Sequence, residues 1–133
     1  MTAKEYLSRY RWLNDRINAK LEQAAELRRK ARTVSSGSSD GSHGSTPYDR
    51  IGEITARIVD LEREITEEID AAVDVQREIA GAIAAVSDER LRTLLEYKYI
   101  NCLTLEEIAV RLHYSYKQVC RLHGMALAAV RCP

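Results

Sequence analysis

Residues 104–130 read TLEEIAVRLHYSYKQVCRLHGMALAAV. Within this stretch Thr104 with Glu107, and Ser115 with Gln118, both fit the S/T-x-x-E/Q pattern. In that pattern a hydroxyl and the third side chain satisfy each other's free N–H groups at a helix start. The first start is followed by Leu105, Ile108, Ala109 and Leu112 on one helical face and then by the short connection His113-Tyr114. Two short helices joined by a tight turn are the expected result, which is helix-turn-helix geometry. Val119, Leu122, Ala126 and Leu127 give the second helix its buried stripe, and Tyr116, Lys117, Gln118, Cys120 and Arg121 are left on the opposite face. The second helix of such a pair enters the DNA major groove with its first turns, while the preceding helix lies across the phosphates. Arg121 is therefore the foremost base-reading candidate, with Lys117 at a base or phosphate nearby and Arg111 a phosphate contact or a solvated charge. Tyr116 either touches sugar or a thymine methyl, or packs on Tyr114. The same spacings also suit a small helical bundle that only packs against the rest of the chain.

Upstream, SDERLRTLLEYKY from Ser87 adds a third short helical unit, with Ser87 read as its cap. Before it the apolar positions Ile51, Ile54, Ile58, Leu61 and Ile65 fall at alternating spacings of three and four, the seam of a coiled coil. The same heptad continues through Glu68, Ala72, Val75, Ile79, Ala82 and Val86, with Glu68 its polar exception. Ile69, Val73 and Ile83 widen the stripe, so a further neighbour is expected, and a homodimer built on these helices would supply it. A weaker seam runs through Leu7, Tyr10, Asn14, Ile17, Leu21 and Ala24, flanked by Leu13 and Leu27.

The run SSGSSDGSHGSTP at 35–47 separates the two patterns and reads as a flexible connection. Helices over 2–33 and 49–86 then match in length at roughly 50 Å, given about 1.5 Å per residue, and can fold back antiparallel. Their charges are opposite: residues 1–33 hold nine bases and four acids, residues 49–86 four bases and ten acids. Complementary runs suit helices lying side by side, although each run could equally be a solvated face. A loop centred near residue 41 sets Leu21 against Leu61, Ile17 against Ile65 and Asn14 against Glu68. The fold class expected is all-α: residues 1–86 form a long antiparallel, coiled-coil-like helical hairpin with a Ser/Gly loop at 34–47, and residues 87–133 form a helix-turn-helix domain.

The stretch from Tyr99 to Arg131 resembles the fourth region of bacterial sigma factors. Tyr99, Thr104, Leu105, Glu106, Glu107, Ile108, Ala109, Ser115, Val119, Ala126 and Leu127 stand on that pattern in register, and the likeness extends over roughly residues 88–131. The whole chain is similar to small sigma-factor-like proteins of phages and prophages, the ArpU-type late-gene regulators. This resemblance implies a sequence-specific transcription regulator that binds double-stranded DNA, with Tyr116, Lys117 and Arg121 facing bases and Thr104, Ser115 and Gln118 contacting the backbone or capping. It also implies possible contact with host RNA polymerase. Cys102 stands where the pattern has a turn glycine, and Met125 and Ala128 replace commonly basic positions, which lowers the expected phosphate affinity. No segment resembles the sigma region that melts promoters. Two other functions fit the same architecture: a module that grips RNA polymerase with little DNA affinity of its own, and a recognition subunit for DNA packaging.

At 133 residues with 20 basic and 20 acidic side chains, the chain is too short for a multidomain enzyme and has no net charge. The N-terminal MTAKEYLSRYRW lacks a signal-peptide apolar stretch, and no run approaches the roughly 18 apolar residues of a membrane helix, which points to the bacterial cytoplasm. Cys102, Cys120 and Cys132 do not form a disulfide framework. Together with His113 and His123, Cys102 and Cys120 fit no closed zinc-finger spacing, so no metal and no cofactor is expected. No nucleophile elbow, phosphate loop or zincin motif occurs, and the acids of 60–78 are explained by a facing basic helix, so no catalytic residue is expected. Trp12 and Tyr10 suit either a partner-binding patch or packing where the hairpin's open end meets the C-terminal helices.

Overall fold

The computed structural model describes residues 1–35 and 47–132. The described residues are helical, with no strand: α1 Ala3–Ser35, α2 Pro47–Ala84, α3 Glu89–Leu95, α4 Leu105–Leu112 and α5 Tyr116–Ala129. A π-helical stretch, Glu96–Ile100, continues directly from α3. The expected Ser/Gly connection lies, apart from its ends, outside the described residues. Both long helices carry starting signals. Thr2 and Glu5 form a reciprocal capping box at α1, with Thr2 N donating to Glu5 Oε2 and Glu5 N donating to Thr2 Oγ1, each at 3.1 Å. At α2 the first helical residue is Pro47, where a missing N–H removes no intrahelical bond. None of the described helices is long and apolar enough to cross a membrane.

The chain divides into two compact units, Met1–Asn14 with Ala71–Pro133, and Asp15–Asp70. In the second, α1 and α2 run antiparallel, because increasing positions on α1 meet decreasing positions on α2: Arg16 pairs with Glu68, Lys20 with Glu64, and Arg28 with Glu62. In each of these pairs the base is on α1 and the acid on α2, so the opposite charge runs are facing partners here. Ile17, Ala24, Leu61 and Ile65 are buried between the helices.

Two seam details differ from the sequence expectation. Leu21 is 47% exposed, while its neighbour Lys20 is half-buried and pairs with Glu64 and Glu68. Glu68 is bound by Arg16 Nη2 at 2.7 Å and Lys20 Nζ at 3.1 Å rather than by Asn14, and its side chain is only 13% exposed. A lysine stem can cover apolar surface while its ammonium, here, reaches both carboxylates. These two cations hold the Glu68 carboxyl below its ordinary value, with Lys20 the larger influence.

In the first unit one core joins both ends of the sequence. Tyr6 and Leu7 of α1 and Ile79 and Ile83 of α2 are buried together with Val86, Leu91, Leu94, Leu95, Tyr99, Ile108, Ala109, Val119, Leu122, Ala126 and Val130. Ile83, expected on a surface awaiting another subunit, is instead fully buried within this chain. Ile69 and Val73 are 44% and 46% exposed. The core therefore takes in residues on both sides of position 86. Beside it, Tyr6 Oη donates to Glu78 Oε1 at 3.1 Å, and Arg9 pairs with Glu78 while lying over the Tyr6 ring.

Candidate nucleic-acid interface

Three caps position the short helices. α3 is capped by Asp88 rather than Ser87: its Oδ1 accepts from Arg90 N at 2.9 Å and Leu91 N at 3.4 Å. A carboxylate can accept from two amides and also complements the positive helix end, which the neighbouring hydroxyl does less well. At α4 the box is complete: Glu107 N donates to Thr104 Oγ1, and Thr104 N donates to Glu107 Oε1. At α5 the hydroxyl half is made, with Gln118 N donating to Ser115 Oγ at 3.1 Å.

The turn between α4 and α5 has a definite form. His113 adopts a left-handed conformation, φ 59°. Its N–H bonds the Val110 carbonyl, and the Tyr114 N–H bonds the Ala109 carbonyl. This pair of bonds is the Schellman arrangement, which closes a helix and redirects the chain. Cys102, before α4, is left-handed as well, φ 58°. A glycine would adopt both conformations without the clash that a Cβ introduces.

With Val119, Leu122 and Ala126 buried, Lys117 and Arg121 project from the opposite side of α5. They are one turn apart, and together with Ser115 and Gln118 they line an open depression. Four of the seven residues singled out from sequence thus share one concave surface at the start of α5. Tyr116 lies on the flank: it is half exposed, and the adjacent Cys120 side chain, with Glu106 nearby, raises its phenol above the ordinary value. Tyr114 packs against the core. Arg111, in the last turn of α4, has its guanidinium over the Tyr97 ring at 5.7 Å. Thr104 sits at the far end of α4 with its hydroxyl engaged by Glu107.

A second polar grouping was not legible in the sequence. Tyr99 Oη and His123 Nε2 are 2.7 Å apart and their rings stack. Burial pushes the Tyr99 phenol up to about 12, against a smaller opposing influence from Arg11. Burial first, then Lys98 and Lys4, push the His123 imidazole below its ordinary value. Both rings are therefore neutral near pH 7. Among the described residues no three potential metal ligands converge.

No protein family matches the chain, and no curated protein or solved structure resembles it. The functional reading therefore rests on the residues themselves.

Proposed function

We propose that this chain is a sequence-specific DNA-binding transcription regulator of phage or prophage type, in which α4, the His113 turn and α5 act as a sigma region-four-like helix-turn-helix. In this reading α1 and α2 form a hairpin through which two copies associate. One observation carries the DNA reading: Lys117 and Arg121 are exposed on the side of α5 opposite its buried stripe, within the first two turns, and line one open depression with the capping Ser115 and the half-buried Gln118. That is where a groove-inserted helix carries its contacts. Arg121 offers a two-pronged donor suited to guanine, Lys117 a single ammonium suited to a base or phosphate, and the Ser115 and Gln118 amides complete the helix start. In this reading Arg111, which lies over the Tyr97 ring, serves as a phosphate contact or a solvated charge.

The test is fluorescence anisotropy with duplexes from the DNA upstream of the gene and scrambled controls, over a range of salt. Arg121→Ala should weaken the preferred duplex by about 1–3 kcal/mol and flatten its preference over mismatched sites. Arg111→Ala should weaken all duplexes alike and reduce the salt slope by about one. Unchanged discrimination in Arg121→Ala and Lys117→Ala, with intact helicity, removes α5 as the reader. Absence of duplex binding favours a module that docks on RNA polymerase, and preference for packaging-site DNA favours a packaging subunit.

A further inference from the structure

Along the start of α1, Lys4, Ser8, Arg11 and Trp12 occupy one helical face, at spacings of four, three and one. They line a cleft of about 320 Å³ with Lys98, Tyr99, Leu105 and His123. Arg9 and Arg16 of α1 pair with Glu78 and Glu68 of α2. None of the eight residues that line the cleft is acidic. Lys4 and Lys98 form no ion pair among the described residues. Glu106 is near enough to favour the charged form of Lys98, but burial, Arg11 and Lys4 outweigh it and lower that ammonium's basicity. Basic groups held close in a partly enclosed space repel one another, and a bound anion relieves that repulsion.

The remaining walls narrow the chemistry. Trp12, half exposed, presents an indole to the cleft, and Tyr99, His123 and Leu105 complete a lining that is aromatic and apolar as well as basic. A bare inorganic ion would leave that surface unused. The volume lies at the low end of the roughly 300–1,000 Å³ typical of small-molecule sites and is too small for a helix about 10 Å across. We propose that this cleft binds a small phosphorylated molecule bearing a planar ring, of the mononucleotide class. Lys4, Arg11 and Lys98 hold the phosphate, and Trp12 stacks on the ring.

Trp12 is the sole tryptophan of the chain, so its emission reports on the cleft directly. The experiment titrates the full chain with AMP, adenosine and inorganic phosphate, following Trp12 fluorescence and calorimetric heat. AMP should saturate, and adenosine and phosphate should each bind at least about tenfold more weakly, since each lacks one half of the recognition. Lys4→Gln with Lys98→Gln should weaken AMP by about tenfold or more, the scale of one lost charged contact. Lys117→Gln with Arg121→Gln removes the same charge elsewhere and should leave AMP affinity unchanged. Should the Lys98 change disturb folding, Lys4→Gln alone, at an exposed position, must still weaken AMP severalfold. Failure of AMP to saturate, or equal losses in the two double variants, overturns the proposal. So does duplex binding that requires Lys4 and Lys98 while AMP does not bind, which would make the cleft a DNA contact. The outcome is independent of the DNA-reading test, which depends on Arg121.

Discussion

His123 is neutral near pH 7 because burial and two nearby lysines oppose its charging, while Tyr99, protonated up to about 12, stays available as a hydrogen-bond partner. The consequence for stability has a definite sign. The folded-state imidazole is less basic than the unfolded one, whose ordinary value is 6.5. Above that value neither state is charged and the group makes no difference. As pH falls below 6.5 the unfolded chain gains a proton that the folded chain resists, so stability is lost until the folded value is passed. Thermal unfolding between pH 7.5 and 5 should therefore show a smaller acid-induced fall in Tm for His123→Gln than for the unaltered chain. An equal or larger fall in the variant would mean that the imidazole charges freely inside the fold. Carboxylates such as Glu68 contribute their own loss at lower pH, and the difference between the two proteins removes it.

At the scale of elements, the short helices are defined locally by caps and the long ones by their partners. Asp88, Thr104 and Ser115 each satisfy amide groups at a helix start, and His113 closes α4 with a left-handed turn. Such caps contribute about 1 kcal/mol each, enough to fix boundaries but not to hold short helices in water. Their stability comes from the shared core, to which α2 contributes Ile79 and Ile83, both fully buried beside Leu94, Leu95 and Ile108. Ile83→Ala should therefore destabilise the unit by about 2–5 kcal/mol, as for other large-to-small changes in packed interiors. Chemical denaturation followed by circular dichroism measures this, and a loss below about 1 kcal/mol would show that α2 is dispensable to the C-terminal core.

At the scale of the whole molecule, the apolar surface left open matters most. Ile69 and Val73, one turn apart on α2, remain nearly half exposed, as do Leu21 and Val59. Water against such side chains favours association, each buried group contributing on the order of 1.5–3 kcal/mol when fully covered. If two copies pair through this face of α2, light scattering at tens of micromolar should give a dimer, and Ile69→Lys with Val73→Lys should return it to a monomer without loss of helicity. A monomeric unaltered chain under those conditions would leave the exposed stripe without a role in self-association.

The amino-acid sequence alone determined the helices, the α2 seam and the buried side of α5, because periodicity records which residues share a face of one helix. The seam positions from Ile51 to Val86 are buried or half-buried throughout, and Val119, Leu122 and Ala126 are buried as the spacing required. The Thr2–Glu5 box was missed in the sequence, although T-A-K-E carries the same signal as Thr104 with Glu107. Periodicity does not record which face of a different helix each stripe meets. Leu21 is exposed while Lys20 beside it reaches two carboxylates on α2, and Ile83 is covered by helices that follow it in the chain. Lys4 and Arg11 on α1 stand far in sequence from Lys98 and from His123, and each is unremarkable in its own segment. Only tertiary packing brought them around one cleft, where burial, Arg11 and Lys4 lower the basicity of Lys98.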